Sequence, residues 1–287
     1  MRVGPSLLLV PALVMPLAGQ ALTDRFKDAY KIWDVALERG EGATVRRATE
    51  ALLSREGLAV SASDYNNMRA LVATEDYAAR ACILEGAWED ALGHLQKAAA
   101  SANENLKASE ITFGRIRKDH ETKVAEWKAM VEKQDKRLKE IEGQAGWTAE
   151  QIGLRNQLRS FLEEHRAAIA HSEWSLKEID ALLAQLAKEQ ATYAASLTSW
   201  QEFMAKEKQE IAQAGSPSKY VADKFEQVKA DEARPRYDRL SYSRRLLRME
   251  PENADLKRFV SGLMGGSDET EKPKTAPRKK KAPTKKR

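Results

Sequence analysis

Apolar residues recur at intervals of three and four along most of the chain, the spacing that places them on one face of a helix. Phe26, Tyr30, Trp33 and Leu37 form the first such stripe, and further stripes follow up to Gly86. Between residues 24 and 265, no segment alternates apolar and polar residues for long enough to indicate a strand. The sequence therefore predicts an all-α fold.

The longest stripes lie in the middle of the chain and have the heptad spacing of a coiled coil. The first runs from Leu106 to Ile141, with polar exceptions that include His120 and Gln134. The second runs from Leu154 to Ile211, with one slip predicted near His165. The segment GQAGW at 143–147 separates them. Because the break is short, we expect residues 101–213 to fold as an antiparallel hairpin.

Residues 72–105 resemble one tetratricopeptide repeat, a helix-turn-helix unit of 34 residues. Small, turn and large apolar residues occupy the positions that this family uses for close helix packing, with Cys82 in place of the usual aromatic residue. These positions are Ala78, Ala79, Cys82, Gly86, Trp88, Ala91, Leu95 and Ala98. The resemblance implies a tetratricopeptide-like helical head over residues 22–100 that binds a peptide segment or a partner helix.

The second helix of this repeat lacks a stop signal, because Asn103 stands where the family places a closing proline. We therefore expect one helix from Ala87 to Glu142 and a returning arm that packs Trp200 and Phe203 against the head. An arm over residues 148–213 would be about 100 Å long at 1.5 Å per residue. Residues 219–264 are predicted to form helices that pack back on the head.

The two ends of the chain differ from the middle in composition. Residues 1–21 have the charge, apolar stretch and small residues of a cleaved signal peptide. Residues 265–287 are predicted to be a disordered Lys-rich tail. The net charge of the whole chain is +5, and nine Lys and Arg without an acid lie between residues 272 and 287, so the rest carries −4. The single cysteine, Cys82, excludes an internal disulfide.

The sequence contains no catalytic signature and no pair of ligands with metal-binding spacing. Its four histidines are His94, His120, His165 and His171. If the hairpin folds back near residue 145, His120 and His171 would approach each other, either as a metal or pH-sensitive pair or as ordinary polar seam residues. We expect no cofactor and no enzymatic activity.

Two functions fit these patterns. The first is an exported scaffold of a bacterial periplasm or cell envelope, which binds a protein partner through the head and arm and self-associates through exposed seam positions. The second is binding of a nucleic acid, anionic lipid or cell-wall polymer through the tail, since clustered cations attract polyanions. The residues that would carry this second function are Lys279, Lys280, Lys281, Lys285, Lys286 and Arg287.

Overall fold

The computed structural model describes residues 24–54 and 65–265. These residues form helices only, which confirms the all-α prediction for the described part of the chain. The predicted signal peptide and basic tail lie outside it. The helices are α1 (Asp24–Glu38), α2 (Gly42–Leu53), α3 (Tyr65–Leu84), α4 (Trp88–Glu142), α5 (Ala149–Ala214), α6 (Pro217–Ala230), α7 (Arg236–Met249) and α8 (Ala254–Leu263).

The head consists of α1, α2, α3, the start of α4 and the end of α5, closed by α7 and α8. One core joins α1, α2, α3 and α7, and its centre includes Trp33, Val45, Tyr77 and Leu240. A second core joins α3, α4 and α5 around Trp88. A third, around Tyr220 and Leu246, fastens α6, α7 and α8 to the end of α5. The C-terminal helices thus return to the head.

Helix α4 continues far past the helix that precedes it. It has 55 residues and α3 has 20, so about 35 residues of α4 extend beyond α3. At 1.5 Å per residue this extension is about 50 Å long. We call it, together with the part of α5 that returns along it, the arm.

The turn at the tip of the arm is fixed by local sequence signals. Helix α4 ends at Glu142, and Thr148 caps α5 by accepting a hydrogen bond from the backbone N–H of Gln151. The Gln151 side chain in turn accepts from the Thr148 backbone, which completes a capping box. The returning helix has 66 residues.

The inward face of α5 is more regular than the sequence pattern suggested. Its buried and half-buried positions alternate in steps of four and three from Leu158 to Glu207. The slip predicted near His165 is wrong, because Leu162 rather than Phe161 is the buried residue and His165 is itself half-buried in the seam. This face stays inward although some of its positions, such as His165, Ser172 and Glu207, are polar.

Near Leu106, the residues of α4 that face inward are not those that the heptad pattern predicted. The residues buried at this level are Asn105 and Ser109, at 2% and 4% exposure, whereas Leu106 is only half-buried. Further along, Val124, Leu138 and Ile141 are buried in the frame that the sequence predicted. The frame thus shifts by one residue between Ser109 and His120, so the seam of α4 joins two heptad registers.

Ion pairs between α4 and α5 mark the register of the arm. Arg159, Arg166, Glu173 and Asp180 lie seven residues apart along α5, and each pairs with a residue of α4. Their partners are, in the same order, Glu142, Asp135, Lys128 and Arg117. Positions in α4 descend as those in α5 ascend, so the two helices are antiparallel.

Candidate partner-binding site

The junction between head and arm is built around the indole of Trp88, which is fully buried. Its ring makes edge contacts with Trp200, Phe203 and Tyr242, at centroid distances of 5.9, 5.0 and 5.0 Å. The Trp200 indole N–H donates to the Trp88 carbonyl at 3.3 Å. The returning arm thus packs on the head at the residues predicted from the sequence, and both long helices enter one core.

All eight positions that carry the tetratricopeptide resemblance lie at or next to this core. Ala78, Ala79, Cys82, Trp88, Ala91 and Ala98 are 0% exposed, Leu95 is 7% exposed, and Gly86 is buried. Burial raises the pKa of the Cys82 thiol to about 11 despite the opposing charge of Arg46. A thiol with that pKa is a poor nucleophile at neutral pH. These residues therefore pack the head and do not form a surface.

Gly86 has a role that the sequence did not reveal. Its φ of +69° is in the left-handed region, and a Cβ there would lie 2.3 Å from the backbone nitrogen of Arg245. Helix α7 therefore crosses the turn between α3 and α4 in direct backbone contact. Only glycine allows both the turn and this approach.

A partly buried charge network, with Arg245 and Glu207 inside the core and Glu89 at its surface, fastens α7 to the two long helices. The guanidinium of Arg245 donates two hydrogen bonds to the Glu207 carboxylate, at 3.1 and 2.9 Å, and two to the Glu89 carboxylate, at 2.7 and 2.6 Å. Burial would lower the pKa of Arg245, but these carboxylates outweigh it and raise the pKa. The bonds from Arg245 lower the pKa of Glu89. The guanidinium thus stays charged and ties α7 to α4 and α5.

A second polar cluster lies where α1, α3, α5 and α7 meet, and we call it the Arg80 cluster. Arg80 donates to Asp34 at 3.4 Å, and its guanidinium lies over the Tyr77 ring at 4.9 Å. Its Nε and Nη1 are buried and have no hydrogen-bond partner within the described residues. Tyr237 of α7 donates its hydroxyl to the Arg80 carbonyl at 2.8 Å.

The Asp76 carboxyl belongs to this cluster and has a raised pKa. The pKa is raised to about 6, chiefly by burial; the positive charge of Arg80 opposes the rise, and the negative charge of Asp34 adds to it. Tyr193 of α5 lies close enough for the Asp76 charge to contribute to a raised pKa, which burial dominates. Perturbed acids beside an undersatisfied guanidinium are typical of binding sites. Free guanidinium N–H groups favour a carboxylate ligand.

The arm exposes large apolar side chains on its surface. Trp174 is 56% exposed and Trp147, at the tip, is 37% exposed with the Arg155 guanidinium over its ring at 4.4 Å. The other large apolar side chains exposed on α4 and α5 are Ile111, Ile116, Met130 and Ile152. Exposed tryptophans of this kind are typical anchors of protein interfaces.

The histidines are not brought together in the arm. His120 lies half-buried in the seam, with its Nδ1 unpartnered among the described residues, whereas His171 is exposed and stacks on Trp174. The suggestion of a His120–His171 pair is therefore wrong, because the register places His171 beyond Lys128 rather than opposite His120. His94 instead lies 2.5 Å from the buried Glu75 carboxylate in the head.

Within residues 24–54 and 65–265, no three His, Cys, Asp or Glu side chains are placed to hold a metal ion. None of the helices in this part combines the length and apolarity needed to cross a membrane. The cationic residues proposed for polyanion binding, Lys279, Lys280, Lys281, Lys285, Lys286 and Arg287, lie outside the described residues.

Comparison with known proteins does not place the chain in a family. No protein-family model, curated protein or solved structure matches it. The resemblance to a tetratricopeptide repeat therefore stays a prediction from residues 72–105.

Proposed function

We propose that the protein is an exported, non-enzymatic scaffold that binds another protein through its arm and its tetratricopeptide-like head. The observation that carries this proposal is the set of large apolar side chains exposed along a paired-helix arm about 50 Å long. The arm is joined to the head through the Trp88 core and the Arg245 network. A partner bound at its tip is thereby held at a fixed distance from the head.

The tip of the arm is the first candidate contact. Trp147 and Ile152 are both exposed there, at 37% and 42%, and they flank the capped start of α5. Their backbone is already ordered by the Thr148 capping box, so binding would order few additional groups. A short helix or loop of a partner protein fits this small apolar surface.

The Arg80 cluster is the second candidate contact, and it lies in the head. Because Nε and Nη1 of Arg80 are buried, a partner carboxylate would accept hydrogen bonds from them only after displacing the side chains that cover them. Such a contact adds charge recognition to the apolar anchoring at the arm.

Photo-crosslinking in the native host tests the proposal. A photoreactive side chain at Ile152 should link the full chain to one defined protein, whereas the same group at the exposed Lys133 should not. The captured protein is then bound in purified form to the Trp147→Ser/Ile152→Ser variant, to Arg80→Gln and to a Lys133→Ser/Lys136→Ser control. Loss of binding in the control alone, or in none of the three, contradicts the proposal.

The distribution of charge along the chain favours a second function, binding of a polyanion by the tail. The nine cations between residues 272 and 287 oppose a remainder with net charge −4. Deletion of residues 272–287 should abolish binding to DNA or to vesicles of anionic lipid and leave binding of the protein partner intact. If partner binding is lost as well, the tail rather than the arm carries the interaction.

The proposed export is tested by locating the N-terminus of the mature protein. Mass spectrometry of the mature protein should find an N-terminus near residue 22. An intact Met1 would contradict the proposed signal peptide.

A further inference from the structure

Helix α5 carries a second stripe on the side that faces away from α4. Its eight residues follow one another in steps of four and three, so they lie on one face of the helix. All eight are exposed, and none makes an ion pair within the described residues. They are Glu163, Ala167, Ala170, Trp174, Lys177, Ala181, Ala184 and Lys188. We call this surface the outer stripe.

The outer stripe is complementary to itself when it is reversed. Its steps of four, three, four, three, four, three and four read the same in both directions. If a two-fold axis passes between Trp174 and Lys177, the reversed copy places Lys188 opposite Glu163 and Lys177 opposite Trp174. The remaining opposite pairs are Ala167 with Ala184 and Ala170 with Ala181.

Each opposite pair is favourable on physical grounds. Glu163 and Lys188 have opposite charges, and a Lys177 ammonium over the Trp174 ring makes a cation–π contact. Four alanines on each copy have short side chains that allow two helices to approach closely. A two-fold axis repeats every contact twice, which is the defining property of an isologous interface.

We propose that two copies of this chain associate through their outer stripes, with the two α5 helices antiparallel. The order of charges along the stripe favours a second copy of the chain as the partner and an antiparallel arrangement of the two helices. A parallel pair would place Glu163 against Glu163 and Lys188 against Lys188, which repel each other. An unrelated helix would need the same order of charge, small residues and aromatic ring to match the stripe. The proposal does not depend on binding of a protein partner.

The size of the stripe predicts a weak dimer. From Glu163 to Lys188 it spans about 38 Å along the helix axis, and a helix contact is about 10 Å wide. About 400 Å² per copy would be covered, or roughly 800 Å² in total, which is below the size of a standard stable interface. We therefore expect a dissociation constant in the micromolar range or weaker.

Sedimentation equilibrium of the full chain, from about 1 to 300 µM, tests the proposal. The native chain should dimerise within this range. Glu163→Lys and Lys188→Glu should each raise the dissociation constant at least about tenfold, because each creates two repulsive pairs. The double variant should restore dimerisation, and so should an equimolar mixture of the two single variants.

Cysteine variants report the orientation. Ala167→Cys copies should form disulfides with Ala184→Cys copies and not with one another, because the antiparallel register places the two copies of position 167 far apart. The native Cys82 is buried and should not compete. Self-linking of Ala167→Cys would indicate a parallel pair and overturn the proposal.

Matched changes on α4 serve as controls. Lys133→Glu and Glu140→Lys alter the same charges at exposed positions of the arm and should leave the dissociation constant unchanged. Circular dichroism of every variant checks that the helices are intact. A chain that stays monomeric at all concentrations, or single variants that dimerise like the native chain, would overturn the proposal, whether or not a protein partner is found.

Discussion

The head and the arm contain similar helices, but their charged residues have different roles. In the head, Arg245 and Glu207 are 9% and 3% exposed and hydrogen-bond each other inside the core. In the arm, the ion pair between Arg159 and Glu142 has side chains that are 57% and 32% exposed. A buried charge that loses its partner is strongly destabilising, whereas an exposed pair contributes little. The head therefore depends on single residues, and the arm does not.

Because of this difference, residues on the surface of the arm can be substituted more freely than residues in the core of the head. The arm can change its surface residues without unfolding, because its seam rather than its surface holds the two helices together. The proposed contacts at Trp147, Ile152 and the outer stripe all lie on this tolerant surface. In the head, the Arg80 cluster combines several polar side chains with incomplete hydrogen bonding; among the described residues, single buried atoms of Asn105 and Arg239 also lack a partner.

The largest effect is expected at Gly86. Replacement by Val should destabilise the protein by about 4 kcal/mol or more, because it combines backbone strain at positive φ with overlap against α7. Urea unfolding followed by circular dichroism measures the change. Gly93→Ala is the matched control: a Cβ there meets nothing within 4 Å, and the variant should be as stable as the native chain or about 1 kcal/mol more stable. If Gly93→Ala lost as much stability as Gly86→Val, the role assigned to Gly86 in the contact with α7 would be contradicted.

Replacement of Arg245 by Met should have the next largest effect. It leaves the buried Glu207 without its cation, and we expect a loss of about 3 to 4 kcal/mol in the free energy of unfolding. The double variant Arg245→Met/Glu207→Met should recover part of this loss, since both charges are then absent. Equal stability of the single variant and the native chain would show that the network does not hold α7.

The effect of Asp76 depends on pH. Its pKa is raised to about 6 in the folded chain, so its contribution to stability is full below the unfolded pKa near 3.8 and is lost as pH rises through 6. Asp76→Asn should therefore be more stable than the native chain by about 3 kcal/mol at pH 7.5, and this advantage should disappear near pH 3.5. Urea titrations at both values test the sign. An advantage that grows as pH falls would be inconsistent with a raised pKa.

The smallest effect is expected on the arm. Arg159→Ala removes the exposed pair with Glu142 and should lower the free energy of unfolding by no more than about 0.5 to 1 kcal/mol. Added salt should reduce the difference further. A loss as large as that of Arg245→Met would mean that the contrast between head and arm is wrong.

Regular helical spacing made the general architecture predictable. The helical class and the two long helices follow from apolar residues in steps of three and four, and the turn follows from Gly143, Gly146 and the Thr148 cap. The contact of Trp200 with the head followed from comparing the lengths of the two helices. The frame near Leu106 was not predictable, because Asn105 and Ser109 are polar and carry no apolar signal for the seam.

The candidate contacts were less predictable than the fold. Asp34, Tyr193 and Tyr237 lie far in sequence from Asp76 and Arg80, so no local pattern marks the Arg80 cluster. The outer stripe has helical spacing, but five of its residues are alanine or tryptophan at positions that a sequence alone does not distinguish from a core face. Exposure of Trp174 is what identifies it as a surface.

By itself, the sequence determined the local properties of this protein: where helices start and stop, which segments are long, and where positive charge collects. These follow from capping, spacing and composition, which act over a few residues. Only the tertiary structure decided which charges are buried together, how closely α7 crosses Gly86, and which face of α5 remains free. Those features depend on contacts between residues distant in the chain, and helical periodicity is the same for a face that packs inward and one that does not.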